Sequence, residues 1–152
     1  PKAELSELLG HTALCDAIVY DKHGQAFPLA SLCAGNAALI ALLQPGGEPT
    51  EHFLNELYDA YERLSAVCRV VIVLPSSGSS SPAYVRFADK YGRIDTYIDA
   101  DEVQEPLARA AFKEPGDYPL LFLMGGYPDC RFASAGYSVG SVELIIKLAA
   151  LI

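Results

Sequence analysis

Residues 37–64 decide the fold and read AALIALLQPGGEPTEHFLNELYDAYERL. The first seven, residues 37–43, are all apolar and predict a strand that is buried on both faces. Two prolines and two glycines follow between residues 44 and 50 and predict a loop, because they exclude regular structure. A helical pattern comes next, so the whole stretch is typical of a strand, a loop and a helix.

The helical pattern covers residues 51–64. Its apolar residues Phe53, Leu57 and Tyr61 recur at helical spacing, whereas the acidic residues lie largely off that stripe. An amphipathic helix of this kind packs one face against a sheet. In an α/β protein, ligands meet the sheet at the turn between strand and helix, so we expect the functional residues at 46–50.

Composition limits the fold and the partners. The chain has 152 residues, of which 51% are hydrophobic, and this predicts one soluble, folded domain over residues 1–152. Because the sequence opens at Pro1 without a methionine, we expect either a mature domain or one excised from a longer chain. A net charge of -8 argues against nucleic acid and anionic membranes as partners. No apolar run reaches the roughly 18 residues of a membrane span. The compartment stays open.

Further elements flank the central unit. The other predicted strands cover residues 16–20, 25–29, 69–74, 94–98, 120–124 and 130–133. The other predicted helices cover residues 3–9, 82–91, a segment that starts near residue 101, and 142–151. A tight turn at Gly24 makes the first two strands an N-terminal β-hairpin. Strands alternate with helices through the middle of the chain, which predicts a three-layer α/β/α sandwich with a mixed central sheet.

The four cysteines are dispersed, and they are Cys15, Cys33, Cys68 and Cys130. No pair has the C-x-x-C spacing, so we expect neither a cysteine-bound metal nor any cofactor. We expect most of these thiols to be free and partly buried, although three disulfide connectivities remain open. The clustered acids near residue 101 are better explained as a solvated helix start than as a metal site.

Several short motifs occur in a familiar order over nearly the whole chain. They are Leu8-Leu9-Gly10, Asp21-Lys22-His23-Gly24-Gln25, Leu29-Ala30-Ser31-Leu32, Gly35-Asn36 before the central strand, Tyr118-Pro119 before a later strand, and Gly136 after the second hairpin. In this order the chain resembles the thioredoxin-like fold, in its peroxiredoxin and TlpA-like redoxin branch. The resemblance implies that Tyr118-Pro119 corresponds to the family's cis-proline loop.

The chain departs from that family at the loop that carries its chemistry. TlpA-like proteins have W-C-x-x-C there, and Gly47-Glu48-Pro49-Thr50 occupies the same place in this sequence. Aligned instead with the peroxiredoxin C-P-T-E stretch, Glu48 stands at the position of the reactive cysteine. Neither alignment places sulfur in the loop. The resemblance therefore implies a degenerate active site with no catalytic residue among these four.

Three functions remain open after this departure. The first is a redox-inactive domain with an interaction or structural role, for which Glu48 and Thr50 are only first-turn residues of a helix. The second is an atypical thiol oxidoreductase or peroxidase that uses Cys33, Cys68 or another non-standard cysteine. The third is a binder of peptides or small molecules in a groove lined by Pro45, Gly46, Tyr118 and Pro119. We expect a protein or peptide partner, and the oligomeric state stays open.

Overall fold

A computed structural model describes residues 18–21, 23–32, 37–43, 48–75, 94, 96–99, 119–125 and 130–152. The strands are β1 (Ile18–Tyr20), β2 (Ala26–Pro28), β3 (Ala37–Leu42), β4 (Arg69–Pro75), β5 (Thr96–Asp99), β6 (Leu120–Gly125) and β7 (Cys130–Ala135). The helices are α1 (Leu29–Leu32), α2 (Glu48–Asp59), α3 (Tyr61–Ser65) and α4 (Ser141–Ala150). Among the described residues, no helix combines the length and the apolarity needed to cross a membrane.

The strands form one mixed sheet in the order β2-β1-β5-β4-β3-β6-β7. Strands β3, β4 and β5 are parallel, whereas β6 and β7 continue the sheet in antiparallel fashion. Strand β3 lies between β4 and β6, with Leu42 paired to Val73 on one side and to Leu120 on the other. The central apolar run of the sequence is therefore an interior strand, as predicted.

Alternate residues of β3 serve two separate cores. Leu39 and Ala41 belong to the core under α2, α3 and α4, whereas Ala38 and Ile40 belong to the core on the opposite face. All four are fully or almost fully buried. Because side chains of a strand point alternately to its two faces, only an unbroken apolar run can serve both cores.

The N-terminal hairpin is built as the sequence predicts. Strand β1 pairs antiparallel with β2, and the turn between them has Gly24 at a φ of 78°. The Asp21 carboxylate accepts hydrogen bonds from the backbone N–H groups of His23 (2.8 Å) and Gln25 (2.9 Å). This is the turn-closing role that a short acidic side chain plays best.

The predicted architecture of mixed sheet, flanking helices and N-terminal hairpin is confirmed, but some element bounds were wrong. Helix α2 begins at Glu48 rather than residue 51, because Pro49 is compatible with a first helical turn, where its missing N–H is not needed. The helical region is also divided, since Ala60 departs from helical geometry with φ -102° and ψ 7°. Leu29 starts α1 instead of ending β2. The predicted helices at 3–9, 82–91 and beyond residue 101 lie outside the described residues.

Candidate functional site

The first turn of α2 lies just beyond the carboxyl end of β3. It carries the carboxylates of Glu48 and Glu51, which the positive end of the helix dipole favours. Glu48 is highly exposed, with 85% of its side chain accessible. Thr50 is buried, with 2% of its surface accessible. Of the described residues 48–51, Thr50 is thus buried, whereas the other three are exposed and Glu48 presents a carboxylate to solvent.

Pro119 lies at the same end of the sheet. It is buried and directly precedes Leu120, which pairs with Leu42 at the end of β3. Its carbonyl oxygen accepts a hydrogen bond from the backbone N–H of Gly136 at 2.9 Å. The first turn of α2 and Pro119 thus lie at the same end of the sheet, and we call the groove that the sequence predicts between them, with these two as its walls, the candidate groove. The other predicted site residues, Pro45, Gly46, Gly47 and Tyr118, lie outside the described residues.

Two aromatic rings stack beside the first turn of α2. The imidazole of His52 and the phenol of Tyr137 have their centroids 5.9 Å apart and their planes 20° from parallel. His52 Nε2 also lies 3.3 Å from Glu48 Oε1, one helical turn earlier. Tyr137 is not among the site residues that the sequence predicts. Nothing in the local pattern of either segment indicates that the two rings meet.

Glu56, on the third turn of α2, ties this helix to the start of α4. Its Oε2 accepts a hydrogen bond from the Tyr137 hydroxyl, and its Oε1 accepts one from the backbone N–H of Val142 at 3.3 Å. The bond to the carboxylate raises the pKa of Tyr137, because it holds the phenol proton in place. Both oxygens of Glu56 are thus occupied by one short segment of chain.

A second polar contact joins the helices away from the candidate groove. The guanidinium of Arg63, on α3, donates hydrogen bonds to both carboxylate oxygens of Glu143, on α4. This forked hydrogen bond lowers the pKa of Glu143 and raises that of Arg63. Both side chains are largely exposed, at 60% and 50%, so the pair is an ordinary surface link between helices.

Comparison with known proteins places the fold. No family model matches the sequence, and no curated protein matches it. Among solved structures, an uncharacterized thioredoxin-like protein from Porphyromonas gingivalis is 20% identical, with a TM-score of 0.66 over 90% of this chain and 89% of that one. A putative thiol:disulfide interchange protein DsbE from Chlorobium tepidum is 16% identical, with a TM-score of 0.67 over 89% and 92%. The chain has a thioredoxin-like fold.

A third solved structure extends the likeness to the peroxiredoxins. Peroxiredoxin Q from Xanthomonas campestris is 18% identical, with a TM-score of 0.64 over 91% of this chain and 93% of that one. The thioredoxin-like domain therefore resembles both groups of proteins that the sequence motifs indicated. That resemblance is confirmed at the level of the fold.

The thiol of Cys68, which the structure describes, lies far from the candidate groove. Cys68 is free and buried, and it immediately precedes Arg69, which pairs with Ala38 near the amino end of β3. Arg69 and Val73 lie at opposite ends of the β3–β4 pairing, four residues apart along β4. At about 3.3 Å per residue, Cys68 therefore lies about 13 Å or more from the end of the sheet where α2 begins. Cys130 pairs with Met124 at the same remote end. Cys15 and Cys33 lie outside the described residues.

Burial also makes Cys68 a poor nucleophile. Loss of hydration raises the pKa of its thiol to about 11, which outweighs the opposite effect of its hydrogen bond with the backbone of Leu39. At neutral pH the thiolate that attacks disulfides or peroxides is therefore almost absent at this position. Within the described ranges, no three His, Cys, Asp or Glu side chains come together as a metal site.

Proposed function

We propose that this thioredoxin-like domain has no redox activity of its own and binds an extended peptide segment of a partner protein in the candidate groove. The observation that carries the proposal is the exposed carboxylate of Glu48 at the first turn of α2. In a redox-active domain of this fold, that turn would hold the reactive thiol. In this proposal, the domain uses the surface around the turn to bind a peptide and performs no thiol chemistry there.

The chemistry of disulfide exchange supports the inactive assignment. The reaction begins with attack of a thiolate on a sulfur atom, and peroxide reduction likewise needs a thiolate. A carboxylate carries negative charge at the same helix end but cannot perform either attack. The described thiol at Cys68 is buried, has a pKa of about 11 and lies at the other end of the sheet.

The layout of the groove walls supports the binding role. Pro119 has no backbone N–H, and its carbonyl is already bonded to Gly136, so this wall is held as a fixed, extended segment. Pro119 itself thus has no free main-chain donor, and we propose that an extended peptide pairs with the main chain of Tyr118, the preceding residue of the predicted site, while side chains on the opposite wall give selectivity. We propose Glu48 as such a selectivity residue, with Pro45, Gly46, Gly47 and Tyr118 as further lining.

Redox assays test the inactive assignment. The purified domain is expected to reduce insulin disulfides with dithiothreitol, and hydroperoxides with a thiol donor, no faster than a blank without protein. An active thioredoxin and an active peroxiredoxin at equal concentration serve as positive controls. A catalytic rate that disappears in Cys33→Ser or Cys15→Ser would instead establish the atypical thiol enzyme.

Peptide selection tests the binding role. Extended peptides selected on the domain from a random displayed library are expected to lose about tenfold or more in affinity for the Glu48→Lys variant. The matched control is Glu62→Lys, which makes the same charge change at an exposed residue of α3. Selection of no peptide, or equal loss in the two variants, would contradict binding at the candidate groove.

A further inference from the structure

One short segment of chain contacts both Pro119 and helix α2, whose first turn is the other wall of the candidate groove. At its start, the N–H of Gly136 donates to the carbonyl of Pro119 at 2.9 Å. The next residue, Tyr137, stacks its ring on His52 of α2 and donates its hydroxyl proton to Glu56 on the same helix. Two adjacent residues thus connect Pro119 to α2.

The segment is fixed at its far end by the same carboxylate. The N–H of Val142, in the first turn of α4, donates to Glu56 Oε1 at 3.3 Å. Between the two contacts the chain turns tightly, with Ser141 N–H bonded to the Ser138 carbonyl at 3.1 Å and Gly140 at a φ of 85°. Glu56 therefore anchors both ends of a closed turn, which we call the 137–142 turn.

We propose that Tyr137 is the positioning residue of the candidate groove and that, through Glu56, it holds the Pro119 wall at a fixed spacing from the first turn of α2. The link consists of one backbone hydrogen bond, one ring stack and one charge-assisted hydrogen bond, and the two residues that make it, Gly136 and Tyr137, are adjacent in the chain. This positioning role rests on the proposed function only for the nature of the ligand that the groove binds. The spacing of the walls itself does not depend on any ligand.

The competing explanation is that the Tyr137 hydroxyl only fastens α4 to α2. The chain offers a matched contact to separate the two explanations. Arg63 and Glu143 also join α4 to a neighbouring helix, yet neither residue bonds to a groove wall. A general loosening of α4 would follow from breaking either contact, whereas loosening of the Pro119 wall would follow only from loss of the Tyr137 bond.

Amide hydrogen exchange measured by NMR tests the proposal without a ligand. Tyr137→Phe keeps the ring on His52 and the packing of Tyr137 against the core, and removes only the hydroxyl. Protection of the Gly136 amide, relative to the Leu123 amide in the interior of the sheet, is expected to fall about tenfold, because a bond to a charged acceptor is lost. In Arg63→Gln, the same ratio is expected to change less than about twofold.

Two outcomes would overturn the proposal. The first is a ratio of Gly136 to Leu123 amide protection that does not change in Tyr137→Phe. The second is a fall of this ratio in Arg63→Gln as large as that in Tyr137→Phe. Unfolding by urea, followed for each variant, identifies a loss of global stability, which would lower the Leu123 protection as well. Because no peptide enters the experiment, failure of peptide binding and failure of the positioning role are read separately.

Discussion

The Glu48→Cys variant is expected to carry a thiol that is alkylated by iodoacetamide at pH 7 about a hundredfold faster than Cys68, or more. At that pH an unperturbed thiol is about 3% thiolate, whereas a thiol with a pKa of about 11 is thiolate in about one molecule of ten thousand. The ratio of the two fractions is roughly 300. The first turn of α2 should increase it further, because the helix dipole and free N–H groups favour a thiolate at position 48.

Site-resolved labelling makes this measurement specific. Peptide mass spectrometry follows alkylation at position 48 and at Cys68 separately, so the thiols of Cys15, Cys33 and Cys130 do not interfere. Labelling as slow as that of Cys68 would mean that the first turn of α2 does not present its side chain as the structure describes. The proposed redox inactivity would then need a cause other than the missing sulfur.

Asp59→Cys is the matched control for the electrostatic part of the argument. Asp59 is exposed and ends α2, so its replacement also removes one carboxylate from the same helix. The carboxyl end of α2 disfavours a thiolate there, and the amino end of α3, which begins at Tyr61, offsets part of that effect. We expect labelling at position 59 to be slower than at position 48 by about threefold. Equal rates at the two positions would remove the helix dipole from the explanation.

The stability of the domain is expected to fall at alkaline pH through Cys68 by about 2 kcal/mol between about pH 8 and about pH 10.5. The thiol has a pKa of about 11 when folded and about 9 when exposed in the unfolded chain. Since the folded value is the higher one, its contribution is complete below about pH 9 and disappears as the pH rises toward 11. The unfolded state loses its proton first and is thereby favoured.

Comparison with Cys68→Ala isolates this contribution from the many tyrosines of the chain. The variant loses the sulfur at every pH, so it should be less stable than the wild type at pH 8. The difference in free energy of unfolding, measured with urea, should narrow by about 2 kcal/mol by about pH 10.5, because only the wild type has this group to ionise. A constant difference across the range would mean that Cys68 is hydrated and has an ordinary pKa.

The sequence by itself determined the main elements of the fold. The apolar run 37–43 could only be an interior strand, and the spacing of Phe53 and Leu57 required a helix against one face of the sheet. The hairpin turn at Gly24 was equally local. In each case the pattern lies within one segment, and burial of that segment explains it. The predicted start of α2 was wrong by three residues, because Glu48 and Pro49 are compatible with both a loop and a first helical turn.

The sequence also determined what the loop before α2 lacks. No alignment of the loop places a cysteine between residues 47 and 50, and this follows from the residues alone. The resemblance to the redoxin branch predicts that Pro119 stands opposite the first turn of α2. Pro119 and Glu48 lie at the same end of the sheet, and a groove between them stays a prediction.

Only the tertiary structure decided which side chains surround that turn. Tyr137 and Glu56 are 81 residues apart, and the bond from Val142 spans 86 residues. Periodicity reports which face of a segment is buried, but not which residue of a distant segment lies against it. That choice depends on how α4 packs beside α2, which is set by the order of the strands beneath them. The remote position of Cys68 has the same origin, because strand pairing alone places it at the far end of the sheet.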